Sequence, residues 1–432
     1  MSMTQKILSE HFDQDDTTVN PSKLKEPGDL VNASLDLIMV HEQLAGRISK
    51  EYRKIGIDYV KNPENIVYIL DHWVPSPDAR AARMHQEGNQ FAEEYGFIQK
   101  NILGENKGIC HVVVPERGYV LPGILAIGSD SHTTTYGALN CFSTGVGATD
   151  VCVAFATGHL WFKIPEVIRV NLHGQFHFGV YGKDLALYLL NIFGVDGATY
   201  KAMEFGGDLR ALSVSARMTV ANMVVEMGAK NAVFEYDRIL HDWLVSNPYL
   251  NKKAPFKPAH PDKDTNYEKS VNIDLGDIEP LVATPHSPGN VRFVDEMADV
   301  SIDQGYIGSC TNGRIEDLRV AAKILMQRHV KETCRCIVVP GSTQVYKQAI
   351  KEGLIEIFLK AGCIVGPPTC GACIGGHMGV LGDDEVCVSS TNRNFKGRMG
   401  AETSLVYLAS PATVAASVID GLITNPKKYL EV

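Results

Sequence analysis

The sequence predicts an α/β protein whose sheets are mainly parallel. Short apolar runs rich in strand-forming residues alternate with helix-like stretches along the 432 residues, and this alternation is typical of parallel strands linked by helices. The 39 glycines indicate many tight turns and close backbone approaches. The length favours roughly two to four domains, with ample room for buried cores.

Five short apolar runs are the predicted strands. They span 66–70 (IVYIL), 123–127 (GILAI), 167–172 (VIRVNL), 337–339 (IVV) and 385–388 (EVCV). Helices are predicted over 77–95, 182–193, 221–227, 315–328 and 409–422. The pair Asn425 and Pro426 is a stop signal after the last of these helices.

Two places in the chain are candidate domain boundaries. Ile164 and Pro165 close a glycine-rich region before a new strand-like run. Residues 247–267 are polar, carry four prolines among lysines and aspartates, and indicate a surface excursion.

Composition and charge exclude several classes of function. A net charge of −9 argues against nucleic acid as the main partner, because phosphate binding requires a basic face. Residues 1–16 lack the apolar stretch of a signal peptide, and no run of about 18 apolar residues appears that could span a membrane. The ten cysteines are therefore expected in a reducing cytoplasm, where metal ligation is a better interpretation than disulfide pairing.

The first cysteine motif is GSCTNG at 308–313. Here a short apolar run ends near Cys310, and polar turn residues then lead into the helix predicted from Ile315. A thiolate at this place would lie near a helix N-terminus, where the dipole and the free N–H groups favour negative charge.

The second motif is a C-x-x-C pair, Cys370 and Cys373, within a loop of prolines and glycines. Alone, such a pair is also typical of a redox couple or of half a zinc site. Cys363 and Cys387 lie in apolar strand-like runs and are interpreted as core residues. A structural zinc site has four protein ligands, whereas three loop cysteines suit a [4Fe–4S] cluster with one iron not ligated by protein, which would act as a Lewis acid.

A third segment, at 389–398, is rich in polar residues and carries Arg393 and Arg398. Each guanidinium could bind a carboxylate through two parallel hydrogen bonds. A surface loop with two solvated arginines is the alternative interpretation of this segment taken alone.

At these segments the chain strongly resembles the aconitase superfamily, and the resemblance covers nearly all of it. The matching motifs are GSCTNGR at 308–314, TCGACIGGHMG at 369–379, TNRNFKGRMG at 391–400 and GSDSHT at 128–133. The resemblance implies three α/β/α domains, over residues 1–165, 166–285 and 286–432, with mostly parallel sheets around a central iron–sulfur cluster whose cysteines lie in the third domain. It also implies a hydro-lyase.

The resemblance assigns roles to individual residues. Cys310, Cys370 and Cys373 would hold the cluster, and His72 would be the general acid that Asp71 or Asp130 orients. The residues implied to bind and tune the reacting water are His111, His132 and Glu226. Those implied to bind substrate are Arg393, Arg398, His41, Ser131 and Asn222.

Within the superfamily, the large subunits of the 3-isopropylmalate dehydratase and homoaconitase branch look most similar. The resemblance then implies isomerisation of isopropylmalate in leucine biosynthesis, with 2,3-dimethylmalate, citraconate (2-methylmalate) or homoaconitate chemistry as alternatives. The swivelling fourth domain of full-length aconitases has no place before Val432, which implies a separate small subunit in a heterodimer or heterotetramer. Here Glu42 and Gln43 follow His41, where such subunits commonly have Asp and a nearby Thr.

Two further interpretations come from other classes of protein. One is an iron-sensing, RNA-binding protein, which the negative charge and the full set of catalytic residues argue against. The other is a zinc-stabilised scaffold without catalysis. Four other histidines are expected to be ordinary core or surface residues: His85, His159, His173 and His177.

Overall fold

A computed structural model describes residues 1–12, 26–97, 99–101, 107–250 and 257–430. The strands are β1 (Leu30–Ser34), β2 (Leu37–His41), β3 (Ile66–Ile69), β4 (Gln99–Asn101), β5 (Leu125–Gly128), β6 (Phe142–Gly145), β7 (His159–Lys163), β8 (Val167–His173), β9 (Ala202–Gly207), β10 (Asn231–Phe234), β11 (Lys269–Asp274), β12 (Leu281–Ala283), β13 (Val291–Phe293), β14 (Gln304–Ile307), β15 (Arg335–Val338), β16 (Ile364–Val365), β17 (Val386–Ser389) and β18 (Leu405–Ala409).

The α-helices are α1 (Met3–Glu10), α2 (Glu42–Ile55), α3 (Ala79–Glu94), α4 (Cys110–Glu116), α5 (Ala148–Thr157), α6 (Gly182–Phe193), α7 (Val214–Met223), α8 (Arg238–Ser246), α9 (Ser309–Asn312), α10 (Ile315–Leu325), α11 (Thr343–Lys351), α12 (Leu354–Lys360) and α13 (Pro411–Asp420). Short 3₁₀ segments span Pro63–Asn65, Ser131–Leu139, Val224–Met227, Leu275–Asp277, Val294–Met297, Gly371–Ile374 and Pro426–Lys428.

The α/β prediction is confirmed, and each of the five predicted strands overlaps an observed one. The helix predicted over 182–193 has the bounds of α6. The helix predicted over 221–227 is wrong at both ends. It begins at Val214, because the Ser213 hydroxyl accepts the Ala216 N–H and caps the first turn, and it ends at Met223, where a 3₁₀ turn takes over. The helix predicted to 328 ends at Leu325, because Gln327 has a left-handed backbone (φ 60°) that an α-helix does not continue.

Three larger sheets account for most strands. A five-stranded parallel sheet has the order β4-β3-β2-β5-β6, and a four-stranded parallel sheet has the order β10-β9-β8-β11. A seven-stranded sheet, β13-β12-β18-β17-β14-β15-β16, is parallel except where β12 pairs with β13 and β18. The predicted domain boundaries stay a prediction, although β12 lies before residue 286 and pairs with the third sheet.

One large hydrophobic core joins all three sheets. It includes Met39 of β2, Met203 of β9 and Leu408 of β18, each with no measurable exposure. Such close-packed contacts hold the sheets in a fixed arrangement. Side chains from different sheets can therefore meet at defined distances, which a site built from three parts of the chain requires.

The predicted site residues follow the carboxyl ends of parallel strands. His41 ends β2, Asp71 and His72 follow β3, and Asp130 follows β5. Cys310 follows β14 and Arg393 follows β17. Carboxyl ends of neighbouring parallel strands form the usual binding edge of an α/β sheet, and here the edges of two sheets share one region.

The predicted surface excursion at 247–267 is described only in part, because residues 251–256 lie outside the described residues. Where the chain is described, it has no helix both long and apolar enough to cross a membrane.

Candidate active site

His72 lies between two carboxylates at the end of β3. Its Nδ1–H donates to Asp71 Oδ1 at 2.6 Å, and its Nε2 lies 3.6 Å from Asp130 Oδ2. Burial alone would lower the pKa of His72, but Asp71 and then Asp130 outweigh this effect and hold that pKa well above its usual value. The raised pKa favours the charged imidazole at neutral pH. Both carboxylates that were predicted as alternatives for orienting His72 contact it, and its role as general acid stays a prediction.

Asp130 gathers three histidines around one buried carboxylate. Its Oδ1 accepts from His111 Nε2 at 2.8 Å and from the His132 backbone N–H at 2.7 Å, while His72 approaches Oδ2. Burial opposes ionisation of Asp130, but these hydrogen bonds and charges, led by His111, hold its pKa well below the usual range. The other nitrogen of His111, Nδ1, lies 3.2 Å from the Tyr136 hydroxyl, which fixes the ring.

Glu226 links His132, in the segment after β5, to Arg393, in the loop after β17. Glu226 Oε1 accepts from His132 Nε2 at 3.0 Å and from Arg393 Nε at 2.7 Å. Burial would raise the pKa of Glu226, but His132 and Arg393 lower it, so the carboxylate is ionised. With Nε held by Glu226, the terminal nitrogens of Arg393 remain available for a carboxylate ligand.

His41 is buried against His72, with ring centroids 4.5 Å apart. Its Nε2 must carry a hydrogen, because its partner at 3.0 Å is the carbonyl oxygen of Ser129, which can only accept. Burial and the neighbouring positive His72 lower the pKa of His41 to about 4. His41 is thus neutral, and its Nδ1 is a buried acceptor without a partner among the described residues.

Glu42 was not predicted as a site residue, although it follows His41 directly. Its carboxylate accepts the backbone N–H groups of Asp71, His72 and Trp73 at 3.1, 2.7 and 2.9 Å. Burial and the nearby Asp71 raise the pKa of Glu42 to about 7. The ligand atoms of His41, Glu42, Asp71 and His72 lie within 4.8 Å of one another. Hydrogen bonds already occupy the carboxylates of Glu42 and Asp71 and Nδ1 of His72, so the cluster fixes the backbone at Asp71 and His72 rather than requiring a metal ion.

The three predicted cysteine ligands are all buried in the loops at this edge. The loop of Cys370 is hydrogen-bonded to the segment of Asp71 and His72, because the Cys370 backbone N–H donates to the Asp71 carbonyl oxygen at 2.9 Å. Cys310 Sγ accepts from Asn222 Nδ2 at 3.2 Å and from Asn392 Nδ2 at 3.3 Å, and the same Asn392 faces Cys373 Sγ at 3.9 Å. All ten cysteines of the chain are unpaired thiols.

The donor set fits an iron–sulfur cluster better than a single ion. A tetrahedral zinc with bonds of about 2.3 Å would bring thiolates to roughly 4 Å from one another. No group of three potential ligands within 4.8 Å of one another includes any of these cysteines in the described part of the chain. Burial and the nearby Cys373 raise the pKa of Cys310 to about 12. Burial likewise holds the pKa of Cys370 well above its usual value, so Cys310 and Cys370 need a positively charged centre to become thiolates. The amide N–H groups at Cys310 would stabilise its thiolate form.

The other predicted substrate residues have individual positions. Arg398 Nε donates to the Cys373 carbonyl oxygen at 2.8 Å, so this guanidinium lies on the second cysteine loop. Ser131 Oγ lies 3.4 Å from His132 Nδ1, at the start of a 3₁₀ segment. Asn222 is committed to Cys310, Thr135, Thr311 and Asn392 by hydrogen bonds. The assignment of substrate contacts to these residues and to His41 stays a prediction.

Several residues that contact the site were not predicted from the sequence: Glu42, Lys183, Thr369, His377 and Asn392. Asn392 lies inside the motif at 391–400, and this place in the motif was the signal that could have identified it. Thr369 Oγ1 donates to the Asp71 carbonyl oxygen at 2.8 Å and lies 3.3 Å from His377 Nε2, contacts that connect distant loops.

The chain is similar to known proteins along nearly its whole length. The family model described as "Aconitase family (aconitate hydratase)" matches residues 5–299 and 292–421. The chain is 46% identical over 430 residues to a Caldicellulosiruptor bescii protein, with 99% of this chain and 97% of the relative covered. It is 46% identical to a Halothermothrix orenii protein, with full coverage of both, and 44% identical to one from Methanopyrus kandleri, with 99% of each covered. The first two are named 3-isopropylmalate dehydratase large subunit, and the third carries the same name with the number 1.

Proposed function

This chain belongs to the aconitase family, and from that premise we propose that it is the large subunit of a 3-isopropylmalate dehydratase. It is a hydro-lyase that interconverts 2- and 3-isopropylmalate through isopropylmaleate, a step of leucine biosynthesis. The observation that supports this substrate is the shared name of relatives that are about 45% identical over essentially their whole length. The observation that supports the chemistry is the meeting of a charged histidine, three buried cysteines and a carboxylate-oriented arginine at one edge.

The proposed cofactor is a [4Fe–4S] cluster held by Cys310, Cys370 and Cys373, with one iron not ligated by protein. When bound, this group supplies a Lewis acid for a hydroxyl and a carboxylate of the substrate. The chain contributes the surrounding donors. Asn222 and Asn392 donate to the Cys310 sulfur, and the Asp71 carbonyl fixes the Cys370 backbone.

His72 is proposed to protonate the departing hydroxyl. Its charge is maintained by Asp71 on Nδ1, so Nε2, which faces Asp130, carries the proton to be transferred. After transfer, the proton can be replaced through Asp130 and its contact with His111. In the hydration direction the same pair works in reverse and takes a proton from water.

Arg393 and Arg398 are proposed to bind the substrate carboxylates. Arg393 has its Nε bonded to Glu226, and Arg398 has its Nε bonded to the Cys373 carbonyl, so each guanidinium is oriented before substrate arrives. Charge that develops on a carboxylate during proton removal would be stabilised by these planar donors.

The proton-abstracting base is proposed to lie on a separate small subunit that carries the swivelling domain, in a heterodimer or heterotetramer. The relatives are themselves large subunits by name, which implies a partner. The cytoplasm is the proposed location, because reducing conditions preserve ten unpaired thiols.

The test is an anaerobic purification of the chain with and without a co-expressed small subunit of a 3-isopropylmalate dehydratase. Iron and acid-labile sulfide are measured, then hydration of isopropylmaleate, citraconate, dimethylmaleate and cis-homoaconitate. We expect iron with sulfide, and turnover of isopropylmaleate only when both chains are present. Preference for another of the four acids would overturn the substrate while keeping the reaction class. Zinc without sulfide would overturn the hydro-lyase mechanism.

A further inference from the structure

Lys183, the second residue of α6, is buried without measurable exposure at the junction of the second and third sheets. In the described ranges it is the only lysine that is buried to this degree. Taking an ammonium group out of water costs several kcal/mol unless hydrogen bonds and opposite charge compensate. No step of the proposed reaction uses Lys183, so its position needs another explanation.

The hydrogen bonds of Lys183 lead to the loop that carries Arg393. Its Nζ donates to the carbonyl oxygen of Ser390 at 3.0 Å and to that of Thr391. The Ser390 hydroxyl accepts the Gly308 backbone N–H at 3.0 Å, two residues before Cys310. The Lys183 ammonium, on α6, therefore binds the loop that carries Arg393 next to the place where this loop is hydrogen-bonded to the Cys310 loop.

The charge of Lys183 is not matched by an ion pair among the described residues. The adjacent Asp184 uses its oxygens to accept the N–H groups of Leu281 and Tyr181, at 3.0 and 2.9 Å. Burial lowers the pKa of Lys183 to about 7, and the groups whose negative charge opposes this fall are led by Cys373, followed by Asp184, Asp317 and Cys310. Asn392, which follows Thr391 in this loop, contacts Cys310 Sγ at 3.3 Å and Cys373 Sγ at 3.9 Å, so the ammonium lies near two of the proposed cluster ligands. A thiolate-bound cluster there would supply a counter-charge for the ammonium.

We propose that Lys183 is a positioning residue whose ammonium is the buried counter-charge of the cysteine-bound cluster and whose hydrogen bonds hold the Arg393 loop. The inference rests on the proposed function, since it needs the cluster. The charge of Lys183 is expected to affect the iron retention and midpoint potential of the cluster. Its hydrogen bonds are expected to affect the position of Arg393 and therefore KM.

The experiment uses the complete two-subunit enzyme with K183M, which is neutral and similar in length, and K183R, which keeps the charge but not the bonding geometry. Three properties are measured: the rate of iron release to a chelator, the midpoint potential of the cluster, and kcat and KM. K183M should release iron about 10- to 100-fold faster and have a lower midpoint potential, because a nearby positive charge favours the reduced cluster. K183R should keep the wild-type potential and raise KM.

The control is K201M, which removes a lysine from an ion pair with Glu268 on the same sheet unit and should leave all three properties at wild-type values. K183Q is a second neutral variant, to be measured in the same way if K183M does not fold. Neutral variants with the wild-type potential and iron release rate would overturn the role of the charge. The potential and the release rate do not depend on which acid is the substrate, so they separate this inference from the proposed function.

Discussion

The carbonyl oxygen of Asp71 accepts the backbone N–H of Cys370 at 2.9 Å, while the carboxylate of the same Asp71 accepts Nδ1–H of His72 at 2.6 Å. One residue thus binds the proposed proton donor on one side and a cysteine loop on the other. Its carboxylate also accepts the Cys110 backbone N–H at 2.7 Å. The proton donor and the cluster loop are therefore held at a fixed separation by backbone contacts.

Asp71→Asn should lower kcat for isopropylmaleate hydration by about 10²- to 10⁴-fold, the usual range for general acid–base catalysis. The pH dependence should also change. Asp71 raises the pKa of His72, so His72 stays protonated above its ordinary range in the wild type. Without that charge the protonated form is lost at lower pH, and the fall of dehydration activity with rising pH should move to lower pH. Steady-state dehydration rates between pH 6 and about 9 check this prediction. If the activity of the variant falls over the same pH range as that of the wild type, the proposed role of His72 is contradicted.

Cys310→Ser should abolish the cluster, because the hydroxyl is a poor ligand for iron at neutral pH and the asparagine donors remain without a thiolate. Iron and sulfide per chain are the measurement. Cys387→Ala is the matched control, since Cys387 is equally buried but lies in β17 among core residues. A Cys310→Ser protein with the iron content of the control would refute the ligand assignment.

The three cysteines could be singled out as proposed ligands from the sequence, because they lie in short polar and glycine-rich loops rather than in apolar strand-like runs. Glu42 and Lys183 were not accessible in the same way. Glu42 acts on backbone N–H groups 29 to 31 positions away, and Lys183 acts on carbonyls more than 200 positions away. Such contacts depend on which strands are neighbours, and strand order is a property of the whole fold.

The parts of the fold that could be predicted are those that depend on local sequence pattern. Apolar runs locate buried parallel strands well, because both faces of such strands are covered. Helix ends were less accurate, as at Val214, where a single Ser213 hydroxyl decides the first turn. The pairing of β12 with β18 joins strands more than 120 residues apart in the sequence, and no local sequence pattern predicts such a long-range pairing.

Arg393→Lys should raise KM for isopropylmaleate at least tenfold. The guanidinium can bond Glu226 through Nε and still offer its terminal nitrogens to a carboxylate, whereas an ammonium has one nitrogen for both partners. The matched control is Arg238→Lys, an exposed arginine in an ion pair with Asp242. If both variants have the wild-type KM, Arg393 does not bind the substrate.

Glu116→Gln should flatten the pH dependence of stability. Burial raises the pKa of Glu116 from 4.5 to about 7, while its hydrogen bond from the Ser342 hydroxyl lowers it in part. A carboxyl group with a raised folded-state pKa stabilises the fold fully below the unfolded-state pKa, and this contribution is lost as pH rises through the folded-state pKa. Wild-type stability should therefore fall between about pH 4.5 and 7 by an amount on the order of 3 kcal/mol at most for this group.

Glutamine cannot ionise, so the difference in Tm between Glu116→Gln and wild type should increase steadily over that pH window. The slope is the criterion, because the loss of the Ser342 contact shifts all values by a constant. Glu64→Gln, at an exposed position, should give a difference that does not change with pH. If the Tm difference for Glu116→Gln is also independent of pH, the carboxyl group titrates in the folded protein as it does in water. The conclusion that burial raises the pKa of Glu116 would then be wrong.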